Sequence, residues 1–393
     1  MIGYAQDGVK RSAVISIGAG ESQVPFIRAA QTMGFSVVAV DRAPNAPGFE
    51  YCDMRIECST HNTEAVKSKL DEFQNSYNYE AVLAYTTAAE ARRTALEVRE
   101  KLNLPGPTNE LINISTKKSA LRKFCNLHNF PVPFGTMFNG TLKEHEIKSW
   151  PVIVKPDITR SGKAGIRLCT DEANIKAYVA QAAKVSSNRA VEIESFIEGI
   201  DSTYLCWARK GKVYFIGWWD ELIGIDTEGK IVSLGVSVPS VINNSTAHEE
   251  AEGIVSRLVS HFSEADAIIL ISFRVTMDGK IYIIEIHDYM AGDLIDGVLL
   301  PAANSEFDFY EFAVKSATGR INHVEPIIFK PTTLYYGNHK QKLSSTPAVA
   351  FSDYEIFQRL SLEENLALLP EIVNRRNLNL SIWPLHAEWL RCH

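Results

Sequence analysis

Two rhythms of apolar residues divide the chain. In its first part, short apolar runs alternate with helical repeats. Ala13–Ile17 is one such run, followed by Gly18-Ala19-Gly20, after which Pro25, Phe26, Ala29, Ala30 and Met33 recur at helical spacing. Ser36–Val40 is a β-branched strand closed by Asp41, Ala81–Ala84 reads as another strand, and Ala88–Leu102 as a helix ended by the turn at Leu104–Pro107. Strands alternating with helices predict βαβ units and a parallel sheet.

The second rhythm begins at about residue 113. Ser115–Asn129 predicts a basic helix with Leu121, Phe124 and Leu127 on one side, stopped by Pro131 and Pro133. From Pro151 to Leu168 the pattern is strand, polar glycine-containing loop, strand, as in an antiparallel hairpin. Asp171–Ala183 reads as a helix. After Ala190, strands separated by glycine turns (Gly199, Gly211, Gly229, Gly279) dominate, broken by an amphipathic helix over about 247–262 and another over Asp308–Ala317. In the tail, Tyr354–Leu360 and Leu362–Leu369 read as helical.

Composition narrows the function. The 393 residues are 46% hydrophobic and 22% charged, which excludes a disordered, collagen-like or coiled-coil chain. Forty Lys plus Arg against forty-seven Asp plus Glu give a net charge of −7, so no nucleic-acid partner is expected. No signal-peptide core precedes Gly18, and no run approaches the roughly 18–20 apolar residues of a membrane span. The six scattered cysteines contain no CxxC. A reduced, cytoplasmic protein without a membrane partner is the expectation.

Four segments hold candidate chemistry. Gly18-x-Gly20 with Asp41 resembles a dinucleotide fingerprint, but Gln23 stands at the third glycine position, so the expectation is a tight turn whose helix start faces at most a small anion. Val152-Ile-Val-Lys155-Pro156 places a lysine at the end of an apolar strand, before Arg160-Ser161-Gly162-Lys163-Ala164-Gly165. Such a loop can fold over polyphosphate, or be a plain hairpin with a snorkelling lysine. The segment from Val191 to Asp201 carries carboxylates around a β-rich turn, and taken alone a strand with a solvated acidic face explains it better than a site does. Glu285 follows a four-residue apolar run and demands a metal or cation as partner. His287, two residues on, shares its side of an extended chain, so the two can hold one divalent ion.

The order of these pieces resembles the ATP-grasp superfamily of carboxylate–amine ligases over about residues 12–320. The nearest branch contains biotin carboxylase, carbamoyl-phosphate synthetase, phosphoribosylglycinamide synthetases and L-amino-acid ligases. The resemblance implies a mixed α/β and α+β fold: a Rossmann-like pre-ATP-grasp domain over 1–112, a linker helix and lid over 113–190, a catalytic subdomain over 191–329 and a divergent C-terminal part over 330–393. It implies ATP with Mg²⁺ or Mn²⁺ as cofactors. Lys118 and Lys155 would contact phosphates, Ser161, Gly162 and Gly165 would form the closing loop, and Glu194, Ser195, Phe196 and Ile197 the hinge that recognises adenine. Asp201 would neighbour the ribose and Glu285 would hold the metal.

Three positions depart from the family pattern. Ser272 stands where a second metal-binding carboxylate is usual, His287 where Asn is usual, and Tyr289 where Arg is usual. His287 is therefore placed with Glu285 as a metal ligand, and the acid substrate is given to Arg160 or Lys163, which join Lys155 as catalytic candidates. Gly20, Glu21, Tyr289 and Gly292 would line the substrate side. The implied activity activates a small-molecule carboxylate as an acylphosphate and joins it to an amine, possible substrates being amino-acid or peptide-like. The alternative is an ATP-binding sensor or partner subunit with a degenerate metal site. A homodimer would fit the family.

Overall fold

The computed structural model describes residues 10–138, 147, 149–159, 163–243, 245–292, 294–336, 354–358, 362–366 and 380–382. Its first unit runs β1 (Arg11–Ile17), α1 (Val24–Thr32), β2 (Ser36–Asp41), β3 (Met54–Glu57), α2 (Thr63–Glu72), β4 (Tyr77–Leu83), α3 (Ala89–Leu102) and α4 (Asn109–Thr116). The strands form a parallel sheet in the order β3-β2-β1-β4, as the alternation predicts. The pattern did not reveal β3, α2 or α4. In α2 only Val66 and Leu70 are buried, too few to mark an apolar stripe.

The expected helix over Ser115–Asn129 is two helices. Lys117 is extended at φ −120°, ψ 120°, which separates α4 from α5 (Lys118–Leu127). The break has a partner: Asp157 accepts from the backbone N–H of Lys118 through its carbonyl (3.2 Å) and from that of Ser119 through its carboxylate (2.8 Å). A residue 38 positions away thus satisfies the first-turn donors of α5.

The segment expected as the lid, with the strand that follows it, contains β5 (Gly135–Phe138), β6 (Val152–Pro156), β7 (Arg167–Cys169), α6 (Glu172–Val185) and β8 (Val191–Ser195), its strands forming an antiparallel sheet in the order β5-β8-β6-β7. The large sheet contains β9 (Ile200–Arg209), β10 (Lys212–Asp226), β11 (Ile231–Val238), β12 (Asp266–Val275) and β13 (Ile281–His287), with α7 (Thr246–Ser260) between β11 and β12. After a π-helical turn at Ile295–Leu299 come α8 (Leu300–Ala303) and α9 (Phe309–Ala317). Then β14 (Thr332–Tyr336) and β15 (Tyr354–Phe357) extend the large sheet beyond β11, α10 (Leu362–Leu366) follows, and β16 (Leu380–Ile382) pairs with β10. Tyr354–Phe357, expected as helix, is a strand. Its β-branched and aromatic residues are stabilised by pairing with β14, which local periodicity does not register.

The two faces of the large sheet bury different cores. Tyr204, Cys206, Ile269, Ile271 and Phe273 pack with α5 and α7. Leu205, Trp207, Ile268 and Leu270 face α9 and the N-terminal unit. Along β9 and β12 this second face continues into Thr203, Asp201, Ser272 and Arg274, so one surface is apolar at one end and polar at the other.

Candidate active site

The polar end of that face is the floor of a cleft. Register sets Glu221, Asp201 and Arg274 side by side across β10, β9 and β12, and Thr203, Ser272 and Glu285 side by side across β9, β12 and β13. A bulge between β12 and β13 makes the second row. Phe273 pairs with Ile283, but Ser272 pairs with Glu285, so Ile284 is an extra residue. Were the strand regular, with Ile284 paired to Ser272, Glu285 would share the core face of Ile281 and Ile283; the bulge prevents this. With it, Glu285 and His287 turn to the cleft.

The wall is α5 and the roof is the lid. Lys118 Nζ lies 2.9 Å from Glu285 Oε1, which supplies the cation that Glu285 required. Burial opposes the charge of both groups and is the largest single influence on each, but Lys118, His287 and Lys155 together hold Glu285 well below the usual carboxylate range, and Glu285 with Glu192 and Asp157 raises Lys118. One turn along α5, Arg122 binds Glu192, Glu194 (2.6 Å) and the carbonyl of Pro133. Lys155 also pairs with Glu194 and is only 4% exposed, which rules out a snorkelling role. Burial, and after it the neighbouring Glu194, push Glu192 upward against the pull of Lys155 and Arg122.

Sequence reasoning missed three of these groups. Arg274 binds Asp201 (2.7 Å from Nε) and the carbonyl of Ile197 (2.7 Å), so it ties the ribose candidate to the hinge. Glu221 receives Lys163 from the lid loop. Asp157 anchors the start of α5. Only Asp157 left a sequence signal, as a charge directly after a buried Val-Lys-Pro strand. Lys118, Arg122, Lys155, Lys163 and Arg274 thus meet Glu285, Glu192, Glu194, Glu221 and Asp201, each of these five cations with a carboxylate partner among the described residues.

In the hinge, the N–H of Ser195 donates to Phe134 O (2.7 Å) and that of Phe196 to Pro151 O (3.1 Å). Glu194 serves here as counter-ion to Lys155 and Arg122. Gly165, at φ 73°, packs against Val185 of α6. Arg160, Ser161 and Gly162 lie outside the described residues. The lid touches the sheet again where Leu168 N donates to Gly229 O (2.7 Å) and Tyr178 Oη to Glu228 O (2.8 Å).

His287 Nε2 lies 3.4 Å from Glu285 Oε2, and its Nδ1 lies 2.9 Å from the Tyr289 hydroxyl. The Ser272 hydroxyl is bonded to Thr203 (3.1 Å). Among the described residues no three His, Cys, Asp or Glu side chains form a metal cluster. One carboxylate, one imidazole and one hydroxyl suit a divalent ion that draws its other ligands from phosphate and water. Beyond β13, the buried Asp296 accepts from the N–H groups of Ala291 (3.0 Å) and Gly292 (3.2 Å), and Gly292 adopts φ 141°.

In the N-terminal turn Gln23 takes the place that the third glycine of a dinucleotide fingerprint would leave open. Gln23 Oε1 accepts from Gly20 N–H (3.1 Å) and its amide reaches Tyr85 O (2.8 Å), filling the loop, while Asp41 accepts from Ala19 and Ala43 N–H (3.0 Å each). Among the described residues no hydrogen bond or ion pair joins Gly20 or Glu21 to the Glu285 group.

No family model matches the chain. A formate-dependent phosphoribosylglycinamide formyltransferase of Burkholderia thailandensis is 26% identical over 192 residues, 47% of this chain and 46% of that protein. The chain thus spans about half the length of the curated relatives it matches. An L-amino acid ligase from Bacillus licheniformis superposes with a TM-score of 0.70 at 16% identity, covering 95% of this chain and 99% of that one. A biotin carboxylase from Campylobacter jejuni, as a β-γ-ATP complex, superposes with a TM-score of 0.65 at 15% identity, covering 97% and 95%.

Proposed function

From the ATP-grasp fold that the chain shares with these enzymes, we propose that it is an ATP-dependent ligase for a small carboxylate and an amine. The observation that carries this reading is the pairing, among the described residues, of five cations with five carboxylates between lid and sheet. A structural core has no use for so many buried ion pairs, whose desolvation commonly cancels their attraction. A polyphosphate site does, because incoming phosphates exchange for carboxylates at lysines already in place.

In the reaction, a carboxylate oxygen of the substrate attacks the γ-phosphorus, the bond to the β-phosphate oxygen breaks and ADP leaves. The amine nitrogen then attacks the acyl carbon, phosphate departs, and the amine proton passes to solvent. Lys118 and Lys155 turn from Glu285 and Glu194 to the phosphates and offset the charge that develops on the transferred group. Arg274 holds the hinge through Ile197, which supports adenine recognition by the residues from Glu194 onward. Lys163 reaches from the lid to the sheet, so the closed loop keeps water from the acylphosphate. Glu285 and His287 would hold Mg²⁺ or Mn²⁺, which would supply positive charge against the phosphates. Gly20 and Glu21, beyond the carboxyl end of β1, would face the substrate, as ligands of parallel sheets do.

Calorimetric titration with ATP in the absence of metal, with Mg²⁺ and with Mn²⁺ tests the reading. Metal-dependent binding, followed by ADP release with a suitable acid and amine, is the expected result. Ser272 opposite Glu285 favours a second reading, nucleotide binding without turnover. Binding that is indifferent to metal would select it, and no binding would remove both.

A further inference from the structure

We propose that Tyr289 is a positioning residue for His287, its hydroxyl holding the imidazole by Nδ1 so that Nε2 faces Glu285. The proposal rests on the reading of Glu285 and His287 as ligands of the nucleotide's divalent ion.

The geometry is a chain of contacts. Lys118 meets Glu285 Oε1, Glu285 Oε2 meets His287 Nε2, and His287 Nδ1 meets Tyr289 Oη. Tyr289 is fixed in turn by Arg92, whose guanidinium lies over its ring at 4.9 Å. Arg92 is 3% exposed and bound to Asp288, Ser115 (2.8 Å) and Thr116 (2.7 Å). It therefore belongs to the junction of α3 and α4, and a rigid helix pair orients the ring. A cation over the ring face also draws electron density from the phenol, which makes its O–H a better donor.

The choice of a hydroxyl matters. With no ion present, a neutral ring that donates from Nε2 to Glu285 accepts the Tyr289 O–H at Nδ1. When Nε2 offers its lone pair to a cation shared with Glu285, the ring proton sits on Nδ1 and the tyrosine oxygen accepts it. A carbonyl at this place would suit only the second arrangement and an N–H only the first, whereas a hydroxyl rotates to serve both. Tyr289 stands where the resemblance leads one to expect arginine, which has donors alone, so the pairing with His287 is a feature of this chain.

Tyr289→Phe removes the hydroxyl and keeps the ring under Arg92. Electron paramagnetic resonance titration of Mn²⁺ in the presence of ADP should show affinity reduced roughly 10–100-fold, as for other partners of metal-binding histidines. ADP binding without metal should be unchanged. In a His287→Asn background the same substitution should change nothing further, because its effect passes through the imidazole. Nitrogen-15 spectra of the metal-free full chain, with His287 assigned by its loss in His287→Asn, should show the Nε2–H tautomer in the parent and mixed tautomers in Tyr289→Phe. Mn²⁺ affinity within about twofold of the parent, an equal loss in the His287→Asn background, or an unchanged tautomer would each overturn the proposal. If the parent binds ADP without regard to metal, the metal-site reading fails, and the tautomer spectra still decide the role of Tyr289.

Discussion

Lys155→Met separates a phosphate-binding lysine from a structural counter-ion. Lys155 is 4% exposed and shares a buried group with Arg122, Glu192 and Glu194, in which two positive charges balance two negative ones. Methionine fills the space but leaves one buried negative charge uncompensated, and breaking a buried ion pair costs about 3–5 kcal/mol. Two features hold the cost near the lower end. Glu194 keeps Arg122 at 2.6 Å, and Glu192, already raised by burial and by Glu194, can take up a proton. A raised carboxyl contributes stability that is present below its unfolded pKa of about 4.3 and is lost as pH rises through its folded value. The loss in Lys155→Met should therefore be greatest, about 3 kcal/mol, on the alkaline side and shrink as pH falls toward the unfolded value of about 4.3, as read by denaturant unfolding followed through tryptophan fluorescence. ADP affinity should fall roughly 10–100-fold, the worth of one charge-assisted contact of about 1.5–3 kcal/mol. Adding Glu194→Gln restores the charge balance, so stability should return to within about 1 kcal/mol of the parent while ADP binding stays weak. Recovery of both would refute the phosphate role and leave Lys155 a counter-ion alone.

Three further outcomes are expected. Gly229→Ala places a Cβ 2.1 Å from Leu168 O at φ 72°, so the β10–β11 turn should release the lid, and limited proteolysis should cut the lid loop faster; an unchanged cleavage rate would mean that this turn does not hold the lid. Asp220 is fully buried and raised to about 7 by burial, against hydrogen bonds from Ser240, Val241 and Ser202. A raised carboxyl stabilises the fold below its unfolded value and loses that contribution as pH rises, so the parent should lose up to about 4 kcal/mol relative to Asp220→Asn between about pH 4 and 7, and parallel denaturant midpoints across that range would contradict it. Ser272→Glu sets a second carboxylate beside Glu285, and calorimetry should show Mg²⁺ strengthening ADP binding about tenfold more than in the parent; no gain would remove Ser272 from the metal site.

The parallel sheet of the first unit was legible because buried strands flanked by helices write their periods directly into the chain. Lys155 was legible for a related reason, as a charge ending an apolar strand. The pairing of Glu285 with a cation followed from the cost of burying a carboxylate, although the sequence did not name Lys118 as the partner. Arg274 and Glu221 left no such trace. Each is one charged residue in an alternating strand, and such residues usually face water. Their role comes from lying opposite Asp201 in adjacent strands.

Sequence alone determined the alternating strands and helices of the first unit, the order of the candidate phosphate-binding pieces and the departures at Ser272, His287 and Tyr289, because these are properties of residues near one another in the chain. Tertiary structure decided which side of a strand each group faces and which charge it meets. The bulge that takes Ile284 out of the alternation sets Glu285 and His287 on the cleft side rather than the core side, and Asp157 begins α5 from across the lid junction so that Lys118 reaches Glu285. Strand register and contacts between distant segments are set by packing, and local patterns carry no record of them.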